Sequence, residues 1–222
     1  MEKIRVLLIK FRNELPQTGI SAFRGAVNAL LQSNNVLFHN HTDEGLRYAY
    51  PLIQYKRINR RAALVCIEEG TEAVGEFFGH IQQRVVLGRK ETLLEIDTMK
   101  AEQTLVQVWN SEFSYSLRKW LPFNSDNYAL YQQTEGLKKR LEQMEKILTG
   151  NILSFAKGVG VHFEQEVSCT ITDVQPLSPM RYKDVKLAAF DVRFKSNVSL
   201  PNFIGLGKGA SHGFGTVVRM SD

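Results

Sequence analysis

The order in which strand-like and helix-like patterns follow one another most constrains the fold of this chain. Residues 4–11 (IRVLLIKF) predict a strand at the start of a domain. Apolar residues then fall at helical spacing over 20–31, with Thr18 as the N-cap. Two extended segments joined by a turn follow over 38–58 and 62–70. After them we predict a helix over 71–83 and two strands over 93–99 and 104–109. The order strand, helix, strand, strand, helix, strand is the ferredoxin-like pattern.

The second half of the chain repeats this order in part. Residues 113–123 predict a strand, and 126–155 predict one helix whose buried stripe is Leu137, Leu141, Met144 and Leu148. Three more strands are predicted, over 167–174, 187–194 and 215–220, but the second helix is missing or reduced. The predicted fold class is α+β, with two tandem ferredoxin-like (RRM-like) domains over 1–110 and 111–222. The second is degenerate and carries a C-terminal glycine-rich loop.

Composition indicates a folded protein and excludes disordered and membrane-spanning classes. Hydrophobic residues make up 43% of the 222 residues, enough for packed cores. No apolar run reaches about eighteen residues, the length that a membrane-spanning helix needs. The first apolar run of the chain is also too short for a signal peptide, so we expect a cytoplasmic protein without a membrane partner. Cys66 and Cys169 have no companions at metal-ligand spacing and are expected to be reduced. The net charge of +5 permits an anionic partner.

Residues 205–215, the glycine segment, carry an unusual amount of bare backbone. Five of the sixteen glycines lie there, namely Gly205, Gly207, Gly209, Gly213 and Gly215. The same segment carries three polar side chains, those of Lys208, Ser211 and His212. Glycine lets another molecule approach the backbone closely, and several amides in a concavity suit a phosphate. Since cationic donors accompany the glycines between two strands, we expect the segment to bind a sugar-phosphate backbone.

The glycine segment departs from two well-known nucleotide-binding motifs. Gly205, Gly207 and Ala210 match the dinucleotide fingerprint, but that motif follows an early strand and opens a helix, whereas a strand follows here. The phosphate loop of nucleotide hydrolases needs Ser or Thr after the lysine, whereas Gly209 follows Lys208. A glycine-rich hairpin without any ligand stays open as an alternative.

The C-terminal motifs resemble a known family. A Gly-x-Gly, a few residues and then Gly-Phe-Gly leading into a final strand, preceded by Pro-Asn-Phe-Ile at 201–204, are similar to the signature loop of repeat-associated proteins of CRISPR systems. Within these the chain resembles the Cas6 family of endoribonucleases, which cut precursor CRISPR RNA. Tyr50 to Lys56 (YPLIQYK) is similar to its shorter, histidine-bearing subgroup. The resemblance implies two ferredoxin-like domains and a CRISPR repeat RNA gripped by the glycine segment. Further candidate partners are other CRISPR-associated subunits and a second copy of the chain.

Two of the five histidines form the tripeptide His39-Asn40-His41. In extended backbone, residues two apart point to the same face, so we expect the imidazoles to be about 6 to 7 Å apart. One imidazole near neutral pH accepts a proton while the other donates one. This pair suits metal-independent RNA cleavage, in which the 2'-hydroxyl attacks the adjacent phosphate and leaves a 5'-hydroxyl and a 2',3'-cyclic phosphate.

Other roles for the histidine pair stay open. Asp43 or Glu44 could complete a metal site, but no third ligand stands at a diagnostic spacing, so we expect neither a metal nor another cofactor. A structural or surface role for both histidines is the other alternative.

The residues after the histidines supply further candidates. By resemblance to the family, which joins a histidine with a tyrosine and a lysine or second histidine, we assign Tyr48 or Tyr50 as the orienting hydroxyl. Lys56 would stabilise the phosphorane charge. Arg57, Arg60 and Arg61 fit an RNA-binding surface, though a turn of solvated cations is the alternative. The predicted function is a metal-independent endoribonuclease; the alternative is a catalytically inactive RNA-binding subunit of a CRISPR ribonucleoprotein complex.

Overall fold

Two compact units make up the protein. The computed structural model describes residues 3–31, 36–39, 41–42, 45–46 and 50–220, without the side chains of Val36, His39, His41, Thr42, Gly45 and Leu46. The first unit comprises Lys3–Thr104 and the tripeptide Ser211–Gly213. The second comprises Leu105–Ala210 and the residues from Phe214 onward.

The first unit is built on a four-stranded sheet. In chain order its elements are β1 (Lys3–Glu14), α1 (Ile20–Leu30), α2 (Val36–His39), β2 (His41–Thr42), β3 (Gly45–Leu46), β4 (Ile53–Ile58), β5 (Arg61–Ile67), α3 (Glu69–His80), β6 (Val85–Leu87), β7 (Lys90–Thr92) and β8 (Ile96–Leu105). The sheet order is β4-β5-β1-β8, with β1 and β4 each antiparallel to β5. This is the ferredoxin-like order that the sequence predicted.

The second unit repeats the arrangement. Its elements are β9 (Val108–Trp120), α4 (Ser125–Gln133), α5 (Leu137–Gly158), β10 (Cys169–Tyr182), β11 (Val185–Val198) and β12 (Thr216–Arg219). A 3-10 turn (Ala210–His212) lies between β11 and β12 in the sequence, and its last two residues belong to the first unit. The sheet order β10-β11-β9-β12 corresponds element by element to that of the first unit. The short 3-10 turn stands where the second helix would come, as predicted. The α+β class with two ferredoxin-like units is therefore confirmed.

One face of α1 forms the centre of the first core. Phe23, Ala26, Val27 and Leu30 are buried because they recur at helical spacing. The Phe23 ring packs edge-on, with its centroid 5.5 Å from that of Phe11 and 5.7 Å from that of Tyr55. Such rings contribute both buried area and a specific geometry.

Several sequence predictions of local structure are wrong. The N-cap of α1 is Gly19 rather than Thr18, and no side chain caps the helix. The helix expected over 126–155 is divided, because Gly136 adopts a φ of +88° between α4 and α5. Leu137, expected in the buried stripe, opens α5 with 74% of its surface exposed. Residues 38–39, expected to be extended, close the short helix α2.

Two smaller predictions concern the cysteines and the membrane. Cys66 and Cys169 are free thiols, as expected; Cys66 is buried, and burial raises the pKa of its thiol to about 12. Among the described residues, every helix is too short or too polar to cross a bilayer.

We predict that Phe23→Ala lowers the free energy of unfolding by about 3–5 kcal/mol, because it leaves a cavity between two rings. Urea unfolding followed by circular dichroism measures this. Val86→Ala is the matched control, since Val86 is 63% exposed, and should change stability by less than about 0.5 kcal/mol. Equal losses in both variants would contradict the packing role of Phe23.

Candidate functional site

The glycine segment folds back on its own backbone. The amide of Leu206 donates to the carbonyl of Gly215 over 2.8 Å, and Gly205 forms an isolated bridge with Thr216. The amide of Gly215 donates to the carbonyl of Lys119 on β9 over 3.1 Å. Both ends of the segment are therefore held by hydrogen bonds within the second unit.

Close backbone contacts account for glycine at two positions. Gly215 has a φ of +57°, and a Cβ there would collide with the carbonyl oxygen of Leu206. Gly207 has a φ of +81°, and a Cβ would lie 2.8 Å from Asn151 Oδ1 and 2.9 Å from Trp120 Nε1. The indole N–H of Trp120 donates to that Asn151 oxygen over 3.0 Å. Folding alone thus requires these glycines, whether or not a ligand binds.

Three consecutive amides of the glycine segment stay available to a ligand. In the part of the chain that the structure describes, the backbone N–H groups of Gly207, Lys208 and Gly209 donate to no protein acceptor. Lys208 is exposed beside them. Successive amides next to a cation can bind an anion. Among the residues predicted to bind RNA, 207–209 therefore combine amides without a protein acceptor in the described structure with an exposed lysine.

Residues 211–213 are engaged in contacts of the first unit. His212 Nε2 lies 2.9 Å from an Arg24 guanidinium nitrogen, and His212 Nδ1 lies 2.9 Å from the Ser211 hydroxyl. A Cβ on Gly213 would collide with the Ile20 side chain. Ser211, His212 and Gly213 therefore each contact protein atoms, and their role in RNA binding stays a prediction.

The predicted catalytic histidines lie in a short, irregular part of the first unit. The backbone of His39 ends α2, and that of His41 begins β2. The sequence predicted that both histidines lie on one face of a single strand, and this prediction is wrong because they belong to two different elements. Neither imidazole is among the described side chains, and Tyr48 lies outside the described residues, so their catalytic roles stay predictions.

Gln54 forms a hydrogen bond with Tyr50 and lies on the same strand as Lys56. The Gln54 side-chain amide donates to the Tyr50 hydroxyl and to the Pro51 carbonyl, each over 2.9 Å. Gln54 is buried, and Lys56 follows two residues later on the same face of β4. Lys56 is only 1% exposed, and this burial lowers the pKa of its amine from 10.5 to about 7. Lys56 can therefore exchange a proton near neutral pH.

The three predicted RNA-binding arginines differ in their partners. Arg57 is half-buried, and its Nε donates to the Leu15 carbonyl over 2.8 Å. Arg60 lies 3.7 Å from Glu14, and Arg61 lies 3.1 Å from Asp97, in exposed ion pairs. Exposed ion pairs of this kind contribute only about 0–1 kcal/mol to stability. Arg60 and Arg61 could therefore leave Glu14 and Asp97 and bind a phosphate instead.

Sequence reasoning missed Arg24 and Gln54. Each is a polar residue next to an apolar one in a regular element; Arg24 belongs to no local motif, and Gln54 lies inside the YPLIQYK stretch without having been assigned a role. Only their contacts with residues 188 and 4 positions away, His212 and Tyr50, single them out.

Comparisons with known proteins cover both units. The Cas6b N-terminal domain matches residues 2–105, and the Cas6b C-terminal domain matches residues 107–220. An uncharacterized protein of Methanocaldococcus jannaschii is 33% identical over 103 residues, which are 46% of this chain and 69% of that protein.

Solved structures share the fold along the whole chain. A crystal structure of Cas6b aligns with a TM-score of 0.90 at 24% identity. A CRISPR RNA processing endoribonuclease Cas6b aligns with a TM-score of 0.77 at 22% identity. Each alignment covers 99% of this chain and 100% of the other. Likeness at these identities establishes the tandem fold.

We predict that the stability of the wild type rises with pH relative to Lys56→Met. The pKa of Lys56 is about 7 in the folded protein and 10.5 ordinarily, so between these values the unfolded chain binds more protons. Urea unfolding at a series of pH values measures the difference between the two proteins. Lys138→Met, at a side chain 91% exposed, is the control and should leave the pH profile unchanged. Parallel profiles for wild type and Lys56→Met would contradict the lowered pKa.

We also predict that Gly207→Ala destabilises the protein by about 2 kcal/mol or more, because of its positive φ and its contact with two ordered side chains. Gly150 on α5 is the matched control: a Cβ there has no atom within 4 Å. Gly150→Ala should raise stability by up to about 1 kcal/mol. Thermal unfolding compares the two, and equal effects would refute a special role for the Gly207 backbone.

Proposed function

This chain belongs to the Cas6b family, and from that premise we propose that it is an endoribonuclease that processes CRISPR RNA. The observation that carries the proposal is the match of both Cas6b domains, which together span nearly all of the chain. One structure that shares the fold is of a CRISPR RNA processing endoribonuclease Cas6b. The proposed RNA is a CRISPR repeat. Other CRISPR-associated subunits and a second copy of the chain stay predictions.

We propose that the glycine segment binds the sugar-phosphate backbone. The amides of Gly207, Lys208 and Gly209 supply three donors to phosphate oxygens, and the Lys208 ammonium supplies charge. Because these amides are fixed by contacts of Gly207 and Gly215, little backbone entropy is lost when RNA binds. Within the first unit, we propose that the exposed Arg60 and Arg61 also bind phosphates of the RNA.

The proposed chemistry is metal-independent attack by the 2'-hydroxyl on the adjacent phosphate. One of His39 and His41 acts as the base that takes the hydroxyl proton, and the other protonates the departing 5'-oxygen. Tyr50, held by Gln54, orients the phosphate, with Tyr48 as the other candidate hydroxyl. Lys56 offers positive charge to the phosphorane, since a nearby phosphate favours the ammonium form of an amine whose pKa is about 7. The products are a 5'-hydroxyl and a 2',3'-cyclic phosphate.

A second candidate is a catalytically inactive RNA-binding subunit of a CRISPR ribonucleoprotein complex. The three open amides and Lys208 favour it, because they can bind RNA without any help from a catalytic residue. Binding and cleavage must therefore be measured separately.

We predict that the protein cuts its repeat RNA in EDTA, and that one deoxynucleotide at the cut site abolishes cutting. A 2'-hydroxyl nucleophile is lost with the deoxy sugar, whereas no metal is required. Gel electrophoresis of end-labelled RNA measures cutting, and the product ends are identified by phosphatase treatment. Cutting that EDTA abolishes would overturn this mechanism in favour of a metal-dependent nuclease.

Histidine variants separate the two candidate functions. His39→Ala and His41→Ala should each lower the single-turnover rate by about a hundredfold or more with RNA affinity unchanged. His80→Ala is the control, because His80 ends α3 and lies 3.2 Å from the Gln83 amide nitrogen. A wild type that binds repeat RNA and never cuts it would establish the binding subunit instead.

A further inference from the structure

The environment of His212 differs from that of an RNA-binding imidazole. Both of its ring nitrogens lie 2.9 Å from a protein atom, Nε2 from the Arg24 guanidinium and Nδ1 from the Ser211 hydroxyl. Ser211 is buried and His212 is half-buried. The imidazole thus contacts Arg24 of α1 through one ring nitrogen and the adjacent residue Ser211 through the other.

The chemistry of the two partners determines the tautomer. An arginine guanidinium carries only donors and keeps its proton at any ordinary pH, so Nε2 of His212 must accept. The proton of a neutral ring then lies on Nδ1, and the Ser211 hydroxyl oxygen accepts from it. A doubly protonated ring has no lone pair for the Arg24 bond. The two contacts therefore require the neutral ring with the proton on Nδ1.

Arg24 is itself held by neighbouring groups. It lies on α1 directly after the buried Phe23, and it interacts with the hydroxyl of Tyr55, a buried residue of β4. The Tyr55 hydroxyl donates to Asn28 Oδ1 over 3.0 Å, one helical turn beyond Arg24. Burial raises the pKa of this phenol, and the nearby guanidinium partly opposes the rise. Arg24, Asn28 and Tyr55 thus form a polar cluster that orients the guanidinium.

Residues next to His212 are packed as closely. A Cβ on Gly213 would lie 3.3 Å from the Tyr55 carbonyl oxygen and would collide with Ile20. The contact between Arg24 and His212 is therefore part of a continuous docking of residues 211–213 against α1 and β4. This docking begins two residues after Gly209, the last of the three open amides.

We propose that Arg24 is a positioning residue for RNA binding, which holds His212 as the neutral tautomer with its proton on Nδ1 and makes it an anchor of the glycine segment. His212 then neither binds phosphate as a cation nor transfers a proton during cleavage. Anchoring at 211–213 limits the conformations of residues 207–209, so less entropy is lost when their amides meet phosphate. The effect on RNA affinity rests on the proposed function, whereas the tautomer does not.

Two substitutions of His212 separate an anchor from an RNA ligand. Glutamine places its amide at the position of Nε2 and keeps an acceptor for Arg24, whereas asparagine reaches only the position of Nδ1. We expect His212→Gln to bind repeat RNA within about threefold of wild type. His212→Asn and Arg24→Gln should each bind about tenfold or more weakly, because each removes a hydrogen bond to a charged group. Filter binding measures affinity, and the cleavage rate at saturating RNA should be unchanged in all three.

The double variant Arg24→Gln/His212→Asn tests whether the two residues act as a pair. Its affinity should be no lower than that of the weaker single variant, because both substitutions remove the same contact. Lys138→Gln on the exposed face of α5 is the control. Equal losses in His212→Gln and His212→Asn would overturn the proposal in favour of a direct RNA contact by the imidazole. Unchanged affinity in all variants would also overturn it.

Nuclear magnetic resonance of the ring nitrogens gives a readout that needs no RNA. In wild type at neutral pH the His212 signals, assigned by their absence in His212→Gln, should show a protonated Nδ1 and an unprotonated Nε2. Arg24→Gln should yield a mixture of tautomers. A wild-type ring with its proton on Nε2, or charged, would refute the proposal. A wild type with the expected tautomer that binds no repeat RNA would refute the proposed function and leave the structural contact standing.

Discussion

The carbonyl oxygen of Leu206 occupies the space in which a side chain on residue 215 would begin, and the glycine segment depends on this contact. With no Cβ at 215, the Leu206 amide can reach the Gly215 carbonyl and the Gly215 amide can reach Lys119 on β9. Between these bonds lie the amides of 207–209, which donate to no protein acceptor in the described structure. A segment that needs glycine in order to fold is thereby given the donors that an anion needs.

Two cationic side chains inside the first unit, Arg24 and Lys56, differ in their surroundings. Arg24 is half-buried and lies beside two hydrogen-bonding neighbours, His212 and Tyr55. Lys56 is more deeply buried, and desolvation favours its neutral amine. The difference matters for chemistry. A guanidinium can fix the orientation of a neighbouring ring, whereas an amine whose pKa lies near 7 can gain or lose a proton near neutral pH.

The sequence predicted much of the fold because periodicity reports which face of an element is buried. The apolar spacing of Phe23, Val27 and Leu30 predicted α1, and the order of elements predicted both sheets. The same reasoning failed at Leu137, because a stripe of leucines at helical spacing looks alike on both sides of a helix break. It failed again at residues 38–39, where a helix of four residues is too short to produce a period.

The sequence by itself determined the two-unit ferredoxin-like order, the position of the glycine segment and the residue types suited to RNA, since these follow from local pattern and composition. Only the tertiary structure decided which residues of that segment meet protein and which stay open. His212 and Lys208 look alike as candidate phosphate ligands in the sequence, but one contacts Arg24 and the other is exposed. The reason is physical: a hydrogen bond between residues 188 positions apart depends on where the chain places them, and no local pattern records that distance.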